Sequence, residues 1–238
     1  MNDSTPPTAT SGPAAPAARR PDRRRRSPAG QPPTQGRPTA QRQHPVLDQL
    51  AQLYPALFGE TLKPLKRGIY QDLLDAQPGV LEAESLKAAL ALHTRSTRYL
   101  TAVASGEQRH DLAGEPVEPL TTDQVHHALV EVFRRRQGRT PEDLVPKLRQ
   151  RIAQAFEASG LGEEAYAAAT RSRDEVVNEI TRLALTDASG RMARDAALLR
   201  AFESSGKPVE AFADMYGMPV QEARRTLERA RARLSPRT

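Results

Sequence analysis

The sequence predicts a mainly α protein: a compact helical domain with one small β-hairpin, set between a disordered basic arm and an all-α C-terminal region. Three observations predict it. Apolar residues recur at helical spacing from Val46 onward, a short segment from Arg109 to Val117 reads as two strands around Gly114, and residues 1–45 hold ten of the chain's 20 prolines without a periodic apolar face. The expected divisions are a Pro/Arg-rich arm over 1–45, a domain over 46–138, and a helical region over 139–238.

The charge is unevenly spread. The formal net charge is +6, and residues 1–45 carry eight basic and two acidic side chains, whereas residues 46–138 carry ten and twelve. The arm, with Arg19, Arg20 and the run Arg23 to Arg26, therefore supplies the excess; it suits sequence-independent phosphate attraction or serves as a solubilising linker. Cysteine is absent, which excludes disulfides, thiolate metal sites and cysteine nucleophiles. With no apolar run near the length of a membrane span, a soluble cytoplasmic protein is expected.

Val46, Leu47, Leu50, Leu53 and Tyr54 keep helical spacing until Pro55 interrupts it, and Leu57 and Phe58 fold onto the core before a loop at Gly59 to Lys63. Pro64 suits the first turn of a second helix with Leu65, Ile69, Leu73 and Leu74 on its buried stripe. Lys63, Lys66 and Arg67 then crowd its start, a candidate cradle for a phosphate or an RNA 3′ end. After a turn at Gln77 to Gly79, Leu86 to Leu100 reads as one continuous helix. On a helical wheel Lys87, Ala91, Thr94, Arg95 and Arg98 share one face, and Leu86, Ala89, Leu90, His93 and Leu100 the other. That stripe is either a nucleic-acid face or the solvated side of an ordinary amphipathic helix. Tyr99, at its border, either stacks on a base or packs the helix against the hairpin. Thr121 with Gln124 forms a capping-box pair opening a helix through Val125, Leu129, Val132 and Phe133. Its last turn, Arg134 to Arg136, either offsets the helix dipole or contacts RNA.

The segments PLKRGIYQDLL from Pro64, SLKAALALHTRSTRYL from Ser85, the R-H-D-L after Gln108, the G-E-P at Gly114 and the T-x-x-Q-V-x-H-A at Thr121 together resemble the ProQ/FinO domain of bacterial RNA chaperones. The resemblance covers roughly residues 46–137. It implies a helical domain with a small β element that binds the base of terminator hairpins and the single-stranded 3′ tail, stabilises small RNAs and mRNA 3′ ends, and promotes RNA pairing. Carried over by position, it places Lys66, Gly68, Lys87, Thr94, Arg98, Tyr99 and Arg109 on the RNA surface. Arg67 and Arg95 complete the expected set as compensating cations, because Ala83, Ala91 and Thr97 stand where the family carries cations or an aromatic. The turn at Ala113 and Gly114 also departs from the family's usual Asp-Gly.

Residues 139–238 lie outside this resemblance and contain a repeat. FEASG at Phe156 with EAYA at Glu164 recurs as FESSG at Phe202 with EAFA at Glu210, an offset of 46 in both pieces. Each unit reads as a helix, a glycine turn and a shorter helix. In the second, Ala213 and Gly217 have helix-turn-helix spacing, followed by Arg224, Arg225, Arg229, Arg231 and Arg233. The region reads as an RNA-accessory or protein-interaction module, with a DNA-binding regulator as the alternative to the RNA chaperone. No enzyme motif, cofactor or metal site is expected: His126 and His127 diverge on a helix, and His93 and His110 have no ligand at chelating spacing.

Overall fold

A computed structural model describes residues 44–234, with eleven helices and one two-stranded antiparallel sheet among them. The basic arm lies outside the described residues. Helices α1 (Pro45–Leu53) and α2 (Pro55–Phe58) each begin on a proline, whose missing N–H costs nothing in a first turn, and Tyr54 between them leaves helical geometry. They bury Leu50, Leu57 and Phe58.

Two expected boundaries move, and the reasons are local. The second long helix, α3 (Ile69–Ala76), starts five residues beyond Pro64, from Gly68 in the left-handed region at φ 82°. Pro64 to Lys66 instead run beside β1 (Arg109–His110): the His110 N–H donates to the Pro64 carbonyl at 2.8 Å and the Lys66 N–H to the His110 carbonyl at 2.9 Å. Backbone pairing with a distant strand thus replaces the helical turn that Pro64 would have tolerated. The expected continuous helix over Leu86–Leu100 is two helices, α4 (Ala83–Thr94) and α5 (Thr97–Val103). Ser96 breaks it, because its hydroxyl accepts from the Tyr99 N–H at 3.1 Å and caps α5. A single helical wheel therefore does not apply across this corner.

The hairpin closes with β2 (Pro116–Glu118), turning at Gly114 with φ 82° while the Asp111 carboxylate accepts from the N–H groups of Ala113 and Glu115. Helix α6 (Thr122–Gln137) has the expected Thr121/Gln124 capping box. Then follow α7 (Val145–Ser159), α8 (Glu163–Thr170), α9 (Glu175–Ser205), α10 (Val209–Met215) and α11 (Val220–Leu234). The repeat has matching geometry, since Gly160 and Gly206, equivalent in the two units, terminate α7 and α9 in the left-handed conformation.

The core does not stop at residue 138. Leu50, Leu73, Leu86 and Leu129 belong to the same apolar cluster as Leu148, Ile152, Tyr166 and Leu185. A smaller cluster of Leu199, Leu227 and Ala230, with Phe202 and Val209 against it, seats α11 on the end of α9. Among the described residues no helix is long and apolar enough to cross a membrane.

Candidate nucleic-acid interface

The expected surface is built around the backbone of one residue, Leu65. The Leu65 N–H donates to the Tyr99 hydroxyl at 3.1 Å, and the Leu65 carbonyl accepts from Arg109 Nη1 at 2.8 Å. Side chains from α5 and β1 thereby fix the extended segment that leads into Gly68 and α3. Arg109, whose side chain is 15% exposed, also donates to Gln124 Oε1 at 3.1 Å and lies 3.7 Å from Glu118. Arg98 donates to the carbonyls of Gly59 at 3.3 Å and Glu60 at 2.7 Å, tying the loop after α2 to α5.

Tyr99 itself is 6% exposed, and its ring stands 5.1 Å from that of His93, which lies 4.9 Å from Phe58. The ring packs in the core and leaves little surface on which a base could stack. Burial raises its phenol above the ordinary value and, with the Arg98 charge adding to it, pushes His93 down to about 4.

The remaining cations differ in how far they are committed. Lys66 pairs with Asp72 at 2.8 Å, a hydrogen bond that raises its ammonium above the usual range. Arg67 is exposed, and Glu118 both accepts its backbone N–H at 3.0 Å and lies 3.9 Å from its guanidinium. Gly68 has open space where a Cβ would sit, so the positive φ is what calls for glycine there. Thr94 spends its hydroxyl proton on the Leu90 carbonyl at 2.8 Å. Lys87 and Arg95 are exposed with no acidic partner among the described residues. Arg135 donates to the Arg95 carbonyl at 2.7 Å, joining the end of α6 to the α4–α5 corner.

The structure thus brings Lys66, Arg67, Gly68, Tyr99 and Arg109 together around Leu65, with Arg98 holding the adjoining loop and Lys87, Thr94 and Arg95 along α4 and its end. Sequence reasoning missed Glu118 and Asp72, and it read Gln124 only as a helix cap and Arg135 only as one of the run Arg134 to Arg136. Glu118 was within reach of it, because the hairpin register sets Glu118 opposite Arg109.

The arginines of α11 are arranged differently. Arg229 and Arg233 both pair with Asp195, at 3.3 and 2.9 Å, and Arg233 also reaches Glu157 at 2.9 Å. Arg224 pairs with Glu210, and the Arg231 guanidinium lies 5.5 Å from the centre of the Phe202 ring. Gly217 makes the expected turn with φ 63°. Four of the five arginines nevertheless hold α11 to α7, α9 and α10.

Residues 40–144 match the model of the ProQ/FINO family. The chain is similar to proteins named RNA chaperone ProQ: it is 34% identical over 135 residues to that of Aeromonas hydrophila, covering 52% of this chain and 63% of the relative. It is 40% identical over 88 residues to those of Shewanella oneidensis and Aeromonas salmonicida, covering 35% of this chain and 41% of each. The alignments thus span less than two thirds of the length of these relatives. The segment that matches the ProQ/FINO family model contains the Leu65 clamp and the α4–α5 cations.

Proposed function

We propose that the protein is a non-enzymatic RNA-binding chaperone that recognises terminator-type hairpins with single-stranded 3′ tails, stabilises small RNAs and mRNA 3′ ends, and promotes RNA pairing. The observation that carries this reading is the pair of uncommitted cations on α4 and its end, Lys87 and Arg95, beside a rigidly clamped turn in a segment that matches the ProQ/FINO family model and whose relatives are named RNA chaperones. In this reading Lys87, Arg95 and Arg67 meet phosphates. Arg98, Arg109 and Tyr99 hold the surface in shape, and Lys66, Gly68 and Thr94 line it. Cations position the backbone without reading sequence, so selectivity rests on RNA shape and on the free tail. Residues 1–45 add electrostatic attraction, residues 46–138 carry recognition, and residues 139–238 buttress the domain and offer a surface for protein contacts or weak DNA binding.

Gel shifts with the full chain test this reading, using a hairpin with a 3′ tail, the same hairpin made blunt, and duplex DNA of equal length. The tailed RNA binds tightest. Equal affinity for the tailed RNA and the duplex DNA would favour a DNA-binding regulator working through α10 and α11. Deleting residues 1–45 weakens all RNAs alike and flattens the salt dependence, with selectivity retained.

A further inference from the structure

The last turn of α6 sorts its three arginines by task. Arg134 pairs with Asp174 at 2.8 Å and with Glu131 at 3.1 Å, and Arg135 reaches Arg95 and Thr97. Arg136, like Arg139 just beyond it, has no acidic partner among the described residues. Both line a cleft of about 390 Å³ between α6 and α7, together with Lys147 and Arg151. Its acidic lining residue, Glu142, is taken up by Lys147 at 2.7 Å in an exposed ion pair. Arg151 is half-buried, donates to the Ala104 carbonyl at 3.1 Å, and is made less basic by burial and by the charge of Arg136. Like charges gathered with so little acid around them repel, and an anion between them relieves that repulsion.

The floor of the cleft is apolar, with Val132 and Leu148 buried and Phe133 half-buried. Cations over an apolar, aromatic floor fit a nucleotide of a single strand, its phosphate held by guanidinium groups and its base laid on the floor; a stacked duplex keeps its bases away from such a surface. Helix α6 carries the cleft and also touches the α4–α5 corner, where Arg135 donates to the Arg95 carbonyl at 2.7 Å.

We infer that the α6–α7 cleft is a second RNA contact, in which Arg136 and Arg139 hold the backbone of a single-stranded segment and Phe133 receives one of its bases. This rests on the RNA-binding reading above and extends it beyond the α4–α5 surface. Because both arginines are exposed and have no acidic partner among the described residues, Arg136→Gln with Arg139→Gln leaves the thermal melt of the full chain unchanged. Affinity is measured against salt for a hairpin carrying a single-stranded 3′ tail and for the same hairpin made blunt. The double variant binds the tailed RNA more weakly, and the slope of log K against log salt falls by roughly 1.4, at about 0.7 for each single-strand phosphate no longer neutralised. Binding of the blunt hairpin is unchanged. Wild-type slope and affinity for the tailed RNA in the double variant, or an equal weakening on both RNAs, would overturn the inference while RNA binding by the wild-type chain leaves the broader reading intact. Failure of the wild-type chain to bind either RNA would overturn both.

Discussion

The α4–α5 corner and helix α11 both carry clustered cations, and they commit them to different degrees. On α11 three of the five guanidinium groups turn back to carboxylates: Asp195 receives Arg229 and Arg233, Glu210 receives Arg224, and Glu157 receives Arg233 as well as Arg191. At the α4–α5 corner Arg98 donates to the carbonyl oxygens of residues 59 and 60, and on the neighbouring β1 Arg109 donates to Leu65 while lying 3.7 Å from Glu118. Lys87 and Arg95 are left to the solvent. Cation count therefore says little about where an anionic polymer binds; what counts is whether an acid has already met the charge.

The largest expected effect that sharpens this contrast is at Tyr99, which belongs to the framework of the corner and not to its binding face. Tyr99→Ala removes a buried ring and the acceptor for the Leu65 N–H, and should cost about 3–5 kcal/mol in denaturant melts. Tyr99→Phe removes only the acceptor and should cost about 1–3 kcal/mol. A Tyr99→Ala chain that melts like the wild type but binds RNA poorly would return Tyr99 to the binding face.

Acid should weaken the framework next. Burial pushes His93 and His126 down to about 4, so between that value and their ordinary 6.5 the unfolded chain binds protons that the folded chain refuses. Stability then rises with pH across this window. The contribution is fully present above 6.5 and falls away as the pH drops toward 4, by on the order of 3 kcal/mol per histidine. Melts from about pH 7.5 to 4 check this, and a flat profile over that range would contradict the buried neutral state of both rings.

On α11, Asp195 is 7% exposed and serves two arginines. Asp195→Ala should destabilise the chain by about 1–3 kcal/mol, less than a fully buried pair because Arg229 is half exposed and can turn to water. RNA affinity of the folded protein should stay unchanged. If the substitution instead raised RNA affinity while stability held, the α11 arginines would be a masked binding face.

What could be read from the sequence was set by neighbours along the chain. The Thr121/Gln124 cap, the Gly114 turn and the left-handed Gly160 and Gly206 follow from residues a few positions apart. The start of α3 was not legible, because the backbone of Pro64 to Lys66 pairs with His110, more than forty residues away. The break at Ser96 was present as a helix-capping residue, but the apolar spacing on both sides of it suggested a continuous helix. The sequence showed the cations of α4, α5 and α11 alike. It could not separate them, since Asp195 lies 34 residues before Arg229 and only the fold joins them.

The central claim is that the uncommitted cations of the α4–α5 corner, and not those of α11, meet RNA. Salt-dependent binding of a 3′-tailed hairpin by the full chain tests it, comparing Lys87→Ala with Arg95→Ala against the acid-paired Arg224→Ala with Arg229→Ala. The first pair should lower affinity and reduce the slope of log K against log salt by roughly 0.7–0.9 for each phosphate that no longer meets a cation, while the second leaves both unchanged. Weakened binding confined to the α11 pair, with the corner variant binding as the wild type does, would contradict the account.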